Sequence, residues 1–239
     1  MPTPHVFVEP ADCADGRVIL RDDVAHHVLT VLRRRAGDAV SVADGTGTVR
    51  RAVISSTANG TAVCSVTAET HAPSPSPAVR VVCGLPKRRK LDEVVQRLTE
   101  LGVDEIVPTM TDRSQVRLEG ARAQRTCDRW QSIARAAAEQ SGRPRVPVVA
   151  AISTWAEVFA APASGVVCWE EAATPLHATT LDATGGQVTV AVGPEGGLTA
   201  DEIAVAGLPA GGVGPTLWGA ETAAVVAPAL VLHRLGRLG

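Results

Sequence analysis

The stretch VGPEGGLTADEI, residues 192–203, sets three glycines and a proline around one glutamate, between an apolar run and a helical pattern. A plain turn needs one such glycine or two. Upstream, Val188–Val192 (VTVAV) has the continuous β-branched character of a strand buried on both faces. Downstream, Thr199 and Glu202 have the spacing of a capping box that opens a helix. Residues 193–198 are therefore a strand-to-helix loop at the carboxyl end of a strand, where open α/β sheets place their ligands. Glycine at 193, 196 and 197 permits positive φ and close approach of a ligand to bare backbone.

Around this loop the chain alternates. VRVVCGL (79–85) reads as a strand, and LDEVVQRLTELGV puts Leu91, Val94, Val95, Leu98 and Leu101 on one helical face. Asp92 and Glu93 fall in its first turn, where the helix dipole favours carboxylates. EIVP (105–108), Val148–Ala150 and Gly165–Trp169 are further strands, and 121–140 is a helix with Trp130, Ile133, Ala134 and Ala137 inward. Such alternation predicts a largely parallel α/β sheet. The last segment, Glu221–Leu235, is apolar nearly all round, the pattern of a helix covered on several sides, and Pro228 predicts a kink or a late start.

The segment HAPSPSPAV (71–79) separates this region from a different one. Its alternating prolines favour extended chain. Before it lie short β-rich runs, Val18–Leu20, Ala39–Ala43, Val49–Ser55 and Thr61–Thr67, with turns at ADGTG and ANG and one short helix over Ala25–Arg33. Two domains are expected, a barrel-like β domain over 1–72 and an α/β domain over 73–239. The five cysteines are widely spaced, without CxxC or Cys/His ligand spacing, which argues against structural zinc and a disulfide framework. No metal is expected. No apolar run reaches transmembrane length, and MPTPHVFVEP lacks a signal-peptide pattern, so the expected place is the cytoplasm, with no membrane partner.

The formal net charge of −2 excludes a strongly basic nucleic-acid binder, yet cations cluster in RRR (33–35), KRRK (87–90) and a run of arginines from Arg113 to Arg145. With no tyrosine and 3% aromatics, a base-stacking platform is not expected.

Six stretches in order carry a resemblance: HHVLTVLRRRAGD (26–38), LPKRRKLDEVVQRLTELGVDEIVP (85–108), RSQV (113–116), RWQSIARAAAEQSGRPRVP (129–147), VGPEGGLTADEI and ETAA (221–224). The chain resembles the bacterial small-subunit ribosomal RNA uridine N3-methyltransferases of the SPOUT superfamily. The resemblance implies an N-terminal PUA-like β-barrel that helps hold RNA and a C-terminal α/β domain with a trefoil knot. It also implies a homodimer, S-adenosyl-L-methionine as cofactor, and 16S ribosomal RNA of the 30S subunit as partner. The cofactor loops would lie around 168–171, 193–198 and 212–222. They supply Trp169, Glu170, Val192, Gly193, Pro194, Glu195, Gly196, Gly197, Gly212, Leu217, Trp218, Gly219, Glu221 and Thr222.

The chemistry allows several roles for the carboxylates. The uracil N3 imide must lose its proton to attack a methyl group, so Glu195 and Glu221 are the catalytic candidates. Glu195 is equally suited to orienting its loop, offsetting a sulfonium charge or capping backbone amides; at Glu221 the helix dipole alone would explain a carboxylate. Arg33, Lys87, Arg88, Arg89, Arg113 and Arg143 are candidates for RNA phosphates, with Arg143 first, and Gln140 of the EQS motif is a further site candidate. His26 and His27 are read as structural. The chain departs from the family pattern at Trp218, at Gly219 where the family has arginine, and at Thr30. Those departures keep open a divergent methyltransferase with another acceptor and a non-catalytic RNA-binding relative.

Overall fold

The computed structural model describes residues 3–87, 90–214 and 216–238. Their contacts divide the chain into two compact units. One holds the residues up to Ser74 together with Ala138–Val146; the other holds Pro75–Ala137 and the chain from Pro147 onward. The short second segment of the first unit has no counterpart in a linear boundary at residue 72.

The first unit is a six-stranded sheet in the order β1-β4-β5-β6-β3-β2. Its strands are β1 (His5–Phe7), β2 (Cys13–Ala14), β3 (Arg17–Leu20), β4 (Ala39–Ala43), β5 (Thr48–Ala58) and β6 (Thr61–His71). A barrel was expected, but no ladder joins β1 to β2 among the described residues. Alternate residues Val40, Val42, Ala52, Ile54, Ala62 and Cys64 turn into one core with Val18 and Leu20, as strand periodicity requires. The helix expected over Ala25–Arg33 begins earlier, as α1 (Asp22–His26), and widens into a π turn over His27–Val31. Ala25 and Val28 are buried there, while His26 and His27, read as structural, are exposed.

The second unit is a parallel sheet in the order β10-β8-β7-β12-β11-β13, with β9 paired to β8. It comprises β7 (Ala78–Gly84), β8 (Glu105–Met110), β9 (Val148–Val149), β10 (Ser153–Thr154), β11 (Gly165–Cys168), β12 (Gln187–Val192) and β13 (Ala210–Gly211). The connecting helices are α2 (Lys90–Leu101), α3 (Gly120–Ser141), α4 (Trp155–Val158), α5 (Ala200–Ala206) and α6 (Ala220–Arg234). One sheet face, with Val82, Val107, Val167 and Ala191, packs on Trp155, Phe159, Leu198, Ala206 and Leu208. Strand alternation turns the equally buried Val81 and Val190 to the other face, and α6 packs on α2, β7 and β12. α6 runs through Pro228 and does not start after it. Ala224, Ala227, Val231 and Leu232 are buried, whereas Leu230 is 43% exposed.

Candidate functional site

The site follows from register. Val192 lies beside Cys83 on β7 and Cys168 on β11, and Cys168 lies beside Gly211 on β13. Four parallel strands thus end together, and the chain leaves each of them on the same edge. The loops after β11, β12 and β13, with the first turns of α6, enclose a cleft of about 430 Å³, within the size range of small-ligand and cofactor sites.

Of the predicted residues, Trp169, Glu170, Val192, Gly193, Pro194, Glu195, Gly197, Leu217, Trp218 and Gly219 lie in its wall. Gly196, Gly212, Glu221 and Thr222 do not. The Gly196 carbonyl instead accepts from Arg113 Nη1 at 3.0 Å. Gly212 is spent on backbone bonds to Thr174 and Leu176. Glu221 borders a second, far smaller hollow against Cys83, Leu91 and Val94, and Thr222 is exposed. The wall also contains Cys168, Val213, Thr216 and Ala223, which the sequence did not single out.

The glycine loop is built differently from its first reading. Of its three glycines only Gly197 has positive φ, +73°. The space beside Gly193 is taken by Leu198, whose Cγ would lie 2.9 Å from an added Cβ, and that beside Gly196 by Arg113. A Cβ on Gly197 would overlap Glu170 Oε1. The loop therefore uses glycine largely to let protein pack on protein. The capping box forms as expected: Thr199 Oγ1 accepts from the Glu202 amide, and Glu202 accepts from the Thr199 amide at 2.8 Å. Glu202, 5% exposed, also accepts the Asp112 amide at 2.9 Å. The segment after β8 is thereby tied to α5 by Asp112 and to the glycine loop by Arg113.

The two carboxylates converge on one cation that the sequence reading missed. Lys90 Nζ donates to Glu221 at 3.0 and 3.1 Å and stands 3.3 Å from Glu195 Oε1. Both Glu195 oxygens accept the Lys87 amide at 3.1 Å. Burial pushes the Glu195 carboxyl up, but hydrogen bonds from its own amide, the Lys87 amide and Lys90 outweigh it and hold the group below its ordinary range. Its own amide and Lys90 hold Glu221 low as well. Lys90 lies within the quoted KRRK run; its place as the first residue of α2, just past the end of β7, was the available signal.

The remaining candidates divide between the units. Arg33, exposed with φ +55°, Gln140, exposed near the end of α3, and half-buried Arg143 belong to the first. Lys87 and Arg113 belong to the second; Arg88 and Arg89 lie outside the described residues. The Trp218 indole donates to Thr216 Oγ1 at 3.1 Å, and Leu217 is 86% exposed. The Trp169 indole N–H is buried without an acceptor among the described residues. A buried unsatisfied donor in a cleft wall is a place for a ligand acceptor. That donor, the cleft size and the backbone-lined loops fit an adenosine-bearing cofactor. Among the described residues no group of three His, Cys, Asp or Glu side chains is placed to hold a metal, and no helix is long and apolar enough to cross a membrane.

Comparison with known proteins agrees with the motif reading. The model of an RNA methyltransferase domain matches residues 73–232, and that of an RNA methyltransferase PUA domain matches 20–67. The ribosomal RNA small subunit methyltransferase E of Mycobacterium bovis is 32% identical over 92% of this chain and 88% of its own length. The protein of that name from Synechocystis is 33% identical over 98% of this chain and 77% of its own. The crystal structure of the Neisseria gonorrhoeae enzyme of that name, bound to S-adenosyl methionine, superposes with TM-score 0.85 at 27% identity, covering 98% of both chains. Ordered motifs, two matched domain models and full-length relatives converge: the chain belongs to the ribosomal RNA small subunit methyltransferase E family of RNA methyltransferases.

Proposed function

We propose that the chain is an S-adenosyl-L-methionine-dependent methyltransferase that methylates N3 of a uridine in 16S ribosomal RNA of the 30S subunit. The observation that carries this reading is the cleft at the joined carboxyl ends of β11, β12 and β13, walled by the loops that the family motifs mark. The cofactor, when bound, supplies an electrophilic methyl group on a sulfonium. The loops around 168–171, 193–198 and 212–222 would hold its adenosine through backbone groups, with the unpartnered Trp169 indole N–H as a further candidate donor. The uracil N3 would lose its proton to solvent water and form the N–CH₃ bond as the methyl–sulfur bond breaks, leaving S-adenosylhomocysteine. Glu195 and Glu221, held low in pKa, are weak proton acceptors. Catalysis therefore rests chiefly on aligning N3 with the methyl–sulfur axis, and Glu195, which lines the cleft as Glu221 does not, would offset the sulfonium charge.

The rest of the family reading is part of the same proposal: a PUA-like RNA-holding domain over 1–72, a methyltransferase domain over 73–239 with a trefoil knot, a homodimer, and a cytoplasmic place of action. The partly exposed apolar α6, with Leu230 uncovered, supports the homodimer. Arg33 and Arg143 in the first unit and Lys87 in the second are the phosphate contacts proposed. The test is mass spectrometry of 16S ribosomal nucleosides from a deletion strain, with and without the restored gene. Loss and recovery of N3-methyluridine is the expected result. An unchanged nucleoside profile, with tight cofactor binding by the purified protein, would overturn the ribosomal substrate and favour another acceptor.

A further inference from the structure

We infer that Lys90 is a positioning residue that ties the glycine loop to the first turn of α6, fixing Glu195 and Glu221 so that two walls of the cofactor cleft act as one. The inference rests on the proposed cofactor reading for its consequence. Its geometry stands apart from that reading. Lys90 opens α2, Glu195 lies in the loop after β12, and Glu221 lies in the first turn of α6. Three segments far apart in sequence meet at one ammonium, within 3.0–3.3 Å of both carboxylates. Without the cation, two like charges would face each other across the join, and each would push the other outward.

Among the described residues, neighbouring charges do not substitute for it. Asp92, on the same helix, is taken by Arg129 Nη1 at 2.7 Å and Trp130 Nε1 at 2.9 Å. Arg113 spends its guanidinium on the Gly196 and Leu198 carbonyls. Lys87 reaches Glu195 through its backbone amide. Glu195 lines the cleft while Glu221 does not, so Lys90 carries the position of the helix turn to the cleft wall through Glu195.

The experiment compares the full-length protein with K90M and K90R. Three measurements are made: S-adenosylmethionine affinity by calorimetry, KM for cofactor and for 30S RNA separately, and carboxyl titration of Glu195 and Glu221 by NMR without ligand. For a partly exposed bridge the expected loss in K90M is about two- to fivefold in cofactor affinity and cofactor KM, with the RNA KM unchanged. Both carboxyl titrations should move upward in K90M, because an opposite charge has been removed, and K90R should restore them. Unchanged cofactor affinity and unchanged titrations in K90M would overturn the inference. So would a rise confined to the RNA KM, which would make Lys90 a phosphate contact. If the wild-type protein fails to bind S-adenosylmethionine, the functional reading falls, and the ligand-free titration still decides whether Lys90 couples the two carboxylates.

Discussion

Replacing Gly197 with alanine isolates how the glycine loop and the loop after β11 hold one another. The residue has φ +73°, and the new Cβ would overlap Glu170 Oε1 and lie 3.1 Å from its Cδ. The left-handed backbone costs a non-glycine residue roughly 1–2 kcal/mol. The overlap is a separate matter: the Glu170 carboxylate is the free end of a flexible side chain, so it swings away, and it swings within the wall of the cleft. Gly207 separates the two effects, because it has φ +62° with nothing within 4 Å of an added Cβ. Urea unfolding should show similar losses, about 1–2 kcal/mol, for Gly197→Ala and Gly207→Ala. Calorimetry should show weaker S-adenosylmethionine binding, by roughly tenfold for each 1.4 kcal/mol of misplacement, in Gly197→Ala alone. Combining Gly197→Ala with Glu170→Ala removes the overlap and should recover the part of the affinity that Glu170 does not itself supply. Wild-type affinity in Gly197→Ala, with the protein folded, would show that the cofactor does not depend on this loop.

Glu202→Ala strips acceptors from the Thr199 and Asp112 amides in a buried place, and should cost about 1–3 kcal/mol in a urea melt. Gly219 has φ −61°, and an added Cβ would sit 3.4–3.6 Å from the Glu221 carboxyl. Gly219→Arg should therefore fold normally and present a second cation to Glu221; added to K90M it should regain cofactor affinity in calorimetry. Burial pushes Asp44 up, but hydrogen bonds from Arg50 and Thr46 win and lower its pKa. Its contribution to stability is thus present above the unfolded pKa, near 4, and is lost as pH falls through the lower folded value. Asp44→Asn should be less stable at pH 7 and show a shallower acid loss in pH-dependent denaturation. Burial pushes the Cys83 and Cys168 thiols up to about 12. Neither should react with a thiol reagent at pH 8 until denaturant is added.

Local chemistry made part of the site legible and distance hid the rest. VTVAV, the glycine cluster and the Thr199–Glu202 spacing are short-range signals, and each forms where it was read. A left-handed glycine also leaves a trace, although nothing distinguished Gly197 from Gly193 and Gly196, because two of the side chains that crowd them, Glu170 and Arg113, come from elsewhere in the chain. The role of Lys90 is a meeting of residues 105 and 131 positions apart, which no window of sequence contains. Arg113 is a phosphate candidate because an arginine advertises charge and not its partner; that its Nη1 also donates to the Gly196 and Leu198 carbonyls could not be read from the sequence. The π turn at His27–Val31 was not legible, because Ala25 and Val28, spaced three apart, fit an ordinary 3.6-residue period.

The composition of the first unit has a consequence for the order in which the chain can fold during synthesis. Phe7 and Ala43 share a cluster with Ala138, the Phe7 amide donates to Glu139 Oε1 at 3.3 Å, and His5 Nε2 bonds the Arg143 carbonyl at 2.9 Å. All three partners are translated some sixty residues or more after Ser74. A nascent chain that has only just passed Ser74 therefore holds β1 with one side of its core unfilled, and completion waits for Val146 to leave the ribosomal tunnel. A fragment ending at Ser74 should accordingly expose Phe7 and aggregate or bind chaperones, whereas one that grafts residues 138–146 onto it through a flexible linker should not.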